Sequence, residues 1–543
     1  MNKVKNLENY TITSLLDESF NKFASKKATS TFKGKTYTYL EYKNMISLYA
    51  IKLLKQGIKK GDKVAIFGEG SPEWGISYLA IISIGAVAVP LMADFNALEV
   101  ESVLDHSETK TIIVSKAKLK YIDVDSLDNV FDISSGSLIK GKEEQNITYS
   151  YQFNNPNIDE SDIASIIYTS GTTGKSKGVM LTHKNITFMA NQLGSILEVL
   201  PSDEVLSILP LAHIYEFTIG FIVPLFKGAH ITYLGKPVAV SSLLPALEEV
   251  KPTIMLTVPM IIEKVYQKKI APLYETGAKL APIKDNELLR KPINKLIGLK
   301  LKKTFGGRLR FFGIGGAKIN PEVERFLSEA SFPYAIGYGL TETSPLLAGG
   351  NAQTTRIYSA GKELLGTSLK LINVNPISKV GEIVTKGDHV MKGYYKEPKL
   401  TEEVMTDDGY FRTGDMGVFD KDNYLYITGR LKNMILGSNG ENIYPENIAF
   451  VINQYPLVEE SLVVEGEKGL VALIKLTPEA IKKLFVEGKE LTKETTDKLI
   501  EDILKYVNSK VNKNSFIKTC KIVDEFEKTA SQKIKTFLYT KKS

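Results

Sequence analysis

From about residue 40 to residue 430, short apolar runs alternate with longer segments of helical spacing. A chain patterned this way builds a largely parallel sheet covered by helices, so the expected architecture is α/β. The most apolar stretch, residues 76–92, is interrupted by Ser77, Ser83, Gly85 and Pro90. A membrane span needs about 20 predominantly apolar residues, so this stretch reads as a buried helix ending near Gly85 and feeding a strand at 86–89. Residues 1–30 alternate charged and apolar side chains and lack the continuous apolar core of a signal peptide. The expected location is cytoplasmic, with peripheral contact at the inner face of a membrane left open.

At 543 residues, the chain is long enough for two to four domains. Lys plus Arg is 69 against 62 Asp plus Glu, a net charge of +7. Over this length that is a weak field, not a nucleic-acid footprint. One cysteine, Cys520, excludes an intrachain disulfide and a Cys-based zinc site, and fits a reducing compartment. The five histidines, at 106, 183, 213, 230 and 389, show no metal-ligand spacing. Only seven basic residues are arginines: Arg290, Arg308, Arg310, Arg325, Arg356, Arg412 and Arg430. An arginine in so lysine-rich a chain is a candidate for a bidentate contact that lysine cannot make.

Residues 146–162 are polar and turn-rich and precede a core strand at 163–168. Residues 271–304 are rich in Lys and Leu and read as a helical surface insertion. Past Arg430 the texture changes. Leu499, Ile500, Ile503, Leu504, Val507 and Val511 recur at three- and four-residue steps, the pattern of an amphipathic helix packed on a small sheet. From Lys505 onward ten lysines face three acids, which reads as solvated surface.

The strongest local signal is Tyr168-Thr-Ser-Gly-Thr-Thr-Gly-Lys-Ser-Lys-Gly178. Thr169, Ser170, Gly171, Thr172, Thr173 and Gly174 are consecutive hydroxyl or glycine residues, followed by Lys175. Glycines let backbone N–H groups turn towards an anion, and hydroxyls add donors around phosphate oxygens. The segment is not a Walker A loop, because position 169 is threonine and residues 178–181 read as a second strand, not a helix.

This segment resembles the phosphate-binding signature of the adenylate-forming, AMP-binding superfamily, and further signatures follow in order over nearly the whole chain. Leu209-Pro-Leu-Ala-His-Ile-Tyr-Glu216 is similar to the wall of the acyl pocket, which implicates His213, Tyr215 and Phe217. Phe312-Gly-Ile-Gly-Gly-Ala317 resembles the strand-end loop under adenine, with Gly315 and Gly316 allowing close approach. Tyr338-Gly-Leu-Thr-Glu-Thr343 is the next match. The resemblance assigns Tyr338 to adenine stacking beside Gly339, Thr341 to the α-phosphate, and Glu342 to magnesium with Thr169 as second candidate. Gly409-Tyr-Phe-Arg-Thr-Gly-Asp415 and Gly429-Arg-Leu-Lys-Asn-Met-Ile435 give Asp415 and Arg430 as ribose ligands and Lys432 as the hinge, also near ATP. Ser438-Asn-Gly-Glu-Asn-Ile-Tyr-Pro445 resembles the pantetheine-tunnel loop, with Gly440 leaving room for a thin chain. Lys528-Thr-Ala-Ser-Gln-Lys533 resembles the terminal motif, so Lys533 is the catalytic lysine beside Thr341 and Glu342. Gln532, Ala530, Asn433 and Ala449 depart from the family's usual residues without removing a charge the chemistry needs.

The resemblance implies an α/β fold of the acyl-CoA synthetase type. A large multi-subdomain N-terminal adenylation domain, 1–430, would be joined by a hinge to a small mobile α+β C-terminal domain, 431–543. It also implies ATP-dependent activation of a carboxylic acid, with Mg2+, ATP and coenzyme A as cofactor and co-substrates. The segments at 209–216, 251–259 and 306–312 resemble the long-chain fatty acid branch, so the expected enzyme is a long-chain-fatty-acid–CoA ligase. Two alternatives stay open: transfer of a fatty or aryl acid to acyl carrier protein, and a degenerate nucleotide-binding regulator.

Overall fold

Two large sheets carry the N-terminal part. In the computed structural model, which describes residues 7–142, 150–170, 176–275, 277–436, 442–466, 469–478, 480–481, 493–528 and 534–539, the first sheet has eight strands. Its centre is parallel: Val87–Leu91, Lys63–Phe67, Thr111–Val114 and Asn129–Asp132 lie side by side. Ile163–Ser170 extends it in parallel, and Ser176–Thr182 turns back antiparallel. Strand Val87–Leu91 is buried at every position, which is why it reads as continuous apolar sequence without alternation. The preceding helix, Pro72–Ser83, is likewise buried almost all round. It starts on a Ser71 cap and a first-turn proline, as an orphaned N-terminus requires.

The second sheet has seven strands, with Glu204–Ser207, Ile254–Thr257, Phe311–Ile314 and Tyr334–Ile336 parallel in its middle and edge. The two sheets share one core. Trp74 and Tyr78 of the first layer stack at 5.8 Å, and Phe217 from the second lies 4.4 Å from Tyr78. A four-stranded antiparallel sheet follows, ordered Ser368–Ile372, Gly381–Lys386, Phe411–Phe419 and Leu425–Arg430.

Beyond residue 434 the apolar side chains form their own clusters. A three-stranded sheet of Val458–Gly466, Gly469–Leu476 and Ile517–Ile522 is covered by helix Lys493–Asn508. Leu499, Ile503 and Val507 point into that core, the stripe read from the sequence. The surface insertion is also helical, as read from its sequence. Short turns at Ala271–Tyr274 and Ala281–Ile283 lead into the helix Glu287–Thr304.

Candidate functional site

The glycine- and hydroxyl-rich segment closes a β-hairpin. Strands Ile163–Ser170 and Ser176–Thr182 pair in register up to Ser170↔Ser176, and no helix starts there. The described flanks are thus two paired strands, whereas a Walker A loop leads from a strand into a helix, as the two-strand pattern implied. Gly171, Thr172, Thr173, Gly174 and Lys175 lie outside the described residues, as does the side chain of Ser170. Thr169, half-buried, faces Lys177 across the hairpin.

Lys177 leads to residues that local sequence reading did not single out. Its ammonium lies 5.1 Å from the Tyr394 ring. Burial, with the charge of Lys432 second, holds its pKa below the usual lysine value, while Glu342 opposes that shift. The Tyr394 hydroxyl donates to Glu342 Oε1 at 2.9 Å. Burial first, then the Glu342 charge, push the phenol well above its ordinary value. Tyr394 reaches this position on the two-residue strand Gly393–Tyr394, which pairs with the hairpin at Val179. So short a strand has no signature of its own; only its long-range partner defines it.

Thr341 and Glu342 open the turn Thr341–Thr343, and the Met391 N–H fixes it by donating to the Glu342 carbonyl. Gly339, just before, has a local reason to be glycine. A Cβ there would lie 1.8 Å from the Pro345 carbonyl oxygen, so any side chain would force the loop apart. Next to it, Tyr338, Asp415 and Arg430 form one network. The Tyr338 hydroxyl donates to Asp415 Oδ2 at 2.8 Å, and Arg430 Nε lies 3.2 Å from Asp415 Oδ1. Asp415 and Arg430 are direct cross-strand neighbours in the four-stranded sheet. Burial, and then the Asp415 charge, lift the Tyr338 phenol far above its usual pKa. Three residues named from three separate motifs thus meet at one point.

Lys432 lies in the turn Leu431–Asn433 immediately after Arg430. Gly440 lies outside the described residues, between the paired segments Ile435–Leu436 and Asn442–Ile443. Lys533 also lies outside them; its flanks, Lys528 and Ile534, form an antiparallel bridge.

The acyl-pocket residues separate. Tyr215 lines a narrow apolar cavity of about 30 Å³ with Ile219, Leu256, Phe311 and Ile336. Its ring crosses the end of strand Phe311–Ile314, where a Cβ on Gly313 or Gly315 would approach it to 3.1 Å. The space beside Gly315 is therefore filled by Tyr215. Gly316 follows with φ +84°, a conformation that favours glycine. Phe217, the third residue of that expected wall, lies elsewhere. It is buried among Trp74, Tyr78 and Phe221 and does not line the cavity, because the helix that starts here turns it to the opposite side. His213 is exposed, and its Nδ1 accepts from the Tyr215 N–H.

Among the described residues, no group of three or more His, Cys, Asp or Glu side chains is placed to hold a metal ion. A single carboxylate with a hydroxyl nearby suits Mg2+, which keeps water and substrate phosphates as its other ligands. Glu342 offers such a carboxylate and Thr169 a hydroxyl, linked through Lys177, which faces Thr169 and lies over the Tyr394 ring that bonds Glu342. Two ammonium groups, Lys177 and Lys432, share this neighbourhood with the Glu342, Glu397 and Glu403 carboxylates, so cations and acids are mixed there.

The sequence model of the AMP-binding enzyme family matches residues 16–395, more than half of the chain. The chain belongs to the AMP-binding enzyme family. Among curated relatives of this AMP-binding enzyme, a long-chain-fatty-acid–CoA ligase of Rattus norvegicus is 30% identical over 537 residues, covering 90% of this chain and 79% of its own. A long-chain-fatty-acid–CoA ligase of Mycobacterium tuberculosis is 30% identical over 488 residues, covering 82% and 78%. Solved structures agree on the fold. ATP-bound MatB of Rhodopseudomonas palustris superposes with a TM-score of 0.77 at 23% identity, covering 98% of each chain. The O-succinylbenzoate coenzyme A synthetase of Bacillus subtilis, in complex with ATP and magnesium, gives 0.76 at 22% identity, covering 96% and 98%. The expected acyl-CoA synthetase type of fold, with its large N-terminal part and smaller C-terminal part, is the fold of this AMP-binding enzyme.

Proposed function

We propose that this AMP-binding enzyme activates a long-chain fatty acid with ATP, forming acyl-AMP and pyrophosphate, and transfers the acyl group to coenzyme A with release of AMP. The observation that carries the nucleotide half is the meeting of Tyr338, Asp415 and Arg430 at 2.8 Å and 3.2 Å, beside the Glu342–Tyr394–Lys177 cluster. The choice of acid is supported by the relatives named as long-chain-fatty-acid–CoA ligases and by the apolar lining around Tyr215.

In this reading the Tyr338 ring stacks on adenine. The buried Asp415 carboxylate accepts from the ribose hydroxyls while Arg430 holds it in place. Joining a carboxylate to the α-phosphorus brings two anions together, so the main task is electrostatic. Thr341, the hairpin loop at 169–175, Lys177 and Lys533 aim donors and positive charge at that centre. Glu342, with Thr169, would hold Mg2+, which supplies charge neutralisation on the phosphates when bound. Tyr394 keeps the Glu342 carboxylate oriented through its hydrogen bond. The 431–543 part moves as a domain about Lys432, exchanging Lys533 for the Gly440 face so that thiol attack follows at the same carbonyl.

Acid-dependent exchange of pyrophosphate into ATP tests the first step. The expected result is exchange that requires a long-chain acid and is lost in Lys533→Ala, with ATP binding largely kept. Full exchange in Lys533→Ala, or exchange only with aryl acids, would contradict the reading.

A further inference from the structure

The helix Glu287–Thr304 is anchored by one stripe and presents a very different one to solvent. Inward, Arg290 makes a two-pronged contact with Glu329, with Nε–Oε2 at 3.0 Å and an NH2–Oε1 distance of 2.7 Å. Asn294 donates to the same carboxylate at 2.7 Å. At Gly298 the helix runs so close to the Ala330 carbonyl that a Cβ would lie 2.3 Å from its oxygen. These contacts fix the rotation of the helix about its axis.

The opposite side is apolar. Leu288 is 85% exposed, Leu289 53%, Leu296 62% and Leu299 62%. With 3.6 residues per turn, these four and Pro292 fall within an arc of about 100°. Lys291, Lys295 and Lys302 border that arc on one edge and Lys300 on the other, while the exposed Lys303 falls within it in the last turn, below the four leucines. The helix carries a single acid, Glu287, which is paired with Lys291. Lys295, Lys300 and Lys302 make no ion pair among the described residues. Four exposed leucines in one stripe are more than scattered surface apolarity explains.

We infer that the outer face of the Glu287–Thr304 helix is a docking surface for an anionic lipid bilayer. An apolar stripe between rows of lysine is the pattern of a helix lying in the membrane interface, leucines among the acyl chains and ammonium groups at the headgroups. A second copy of the chain fits this face less well. A two-fold contact through the stripe would bring lysine rows of equal charge together. The fold supports contact with one leaflet, since among the described residues no helix is long and apolar enough to cross a membrane. The inference goes beyond the proposed reaction and does not depend on which acid is activated.

The test is cosedimentation with vesicles of phosphatidylcholine alone and of phosphatidylcholine mixed with phosphatidylglycerol, at low and high salt. The full chain binds the anionic vesicles, binds neutral ones at least about tenfold more weakly, and is released by salt. Leu296→Ser with Leu299→Ser lowers partitioning by at least about tenfold. Lys295→Gln with Lys302→Gln lowers it by about fivefold per lysine. Both double variants keep the thermal unfolding midpoint of the parent, since Leu296, Leu299 and Lys295 face solvent and the half-buried Lys302 makes no ion pair among the described residues. Absent binding, equal binding to both vesicle types, or unchanged binding by the leucine variant overturns the inference. A dimer in sedimentation velocity that the leucine variant abolishes without vesicles would also overturn it, making the stripe a protein interface. Because the readout is partitioning, it stands apart from failure of the proposed ligase reaction.

Discussion

At the level of single residues, three of the seven arginines make the two-pronged contacts that a guanidinium allows. Arg290, Arg310 and Arg412 each pair with a buried carboxylate, Glu329, Asp203 and Glu382. Arg356 bridges Asp420 and Asp422, and Arg430 meets Asp415. Lysine could hold the charge in these places but not the planar fork. Glu216 shows the opposite case, a buried acid without a cation. Ser207 Oγ donates to its Oε1 at 2.6 Å, while Oε2 has no partner among the described residues. Burial pushes this carboxyl up to about 8 from an ordinary 4.5. The native state therefore keeps a proton that the unfolded chain releases. Its stabilising contribution is complete below the unfolded value and is lost as pH rises towards the folded one, by an amount on the order of a few kcal/mol. Glu216→Gln keeps the shape and cannot ionise. In urea melts it should match the parent at pH 5 and exceed it at pH 8; parallel losses in both proteins would refute the buried proton. Glu216 ends a segment legible for its resemblance to the acyl-pocket wall, yet its burial was not legible. Burial depends on Ser207 and on Gly220, where a Cβ would meet the Glu216 carboxyl carbon at 2.7 Å, and such contacts leave no local pattern.

Among the elements, long periodic segments and buried strands were legible, and short pairings were not. The hairpin at 163–182, the buried helix before residue 85 and the C-terminal amphipathic helix all follow from their own residue patterns. Tyr338, Asp415 and Arg430 could be named from their motifs. Their meeting could not, because it requires the register Asp415↔Arg430 and the turn that Gly339 permits. Tyr394 is the extreme case, a two-residue strand defined wholly by its partner. Cys520 offers a check on the C-terminal core. It lies on strand Ile517–Ile522, buried under helix Lys493–Asn508, and burial pushes its thiol up to about 12. Maleimide labelling at pH 8 should be at least about tenfold slower in the native protein than after unfolding, since the thiolate is the reactive form. Native labelling at the unfolded rate would mean that this helix does not stay docked on the sheet.

Across the whole molecule, the proposed reaction depends on two parts with separate cores acting on one carbonyl in turn. Residues beyond 434 bury their own apolar side chains and still touch the larger part. Lys318 Nζ lies 3.1 Å from Asn447 Oδ1, and Asn447 in turn donates to the Thr428 carbonyl. These polar contacts flank the turn Leu431–Asn433, where a proline would restrict φ. Lys432→Pro should therefore spare adenylation more than thioester formation, which should fall at least about tenfold further in half-reaction assays. Equal loss in both steps would contradict rotation about this point. The proposed ligase reaction is checked by incubating the protein with ATP, magnesium and fatty acids of graded length, with and without coenzyme A, and identifying products by mass spectrometry. The expected products are acyl-AMP without coenzyme A, and AMP with long-chain acyl-CoA when it is present. Acyl-AMP that never passes to coenzyme A, or no acid-dependent product at all, would contradict that reaction.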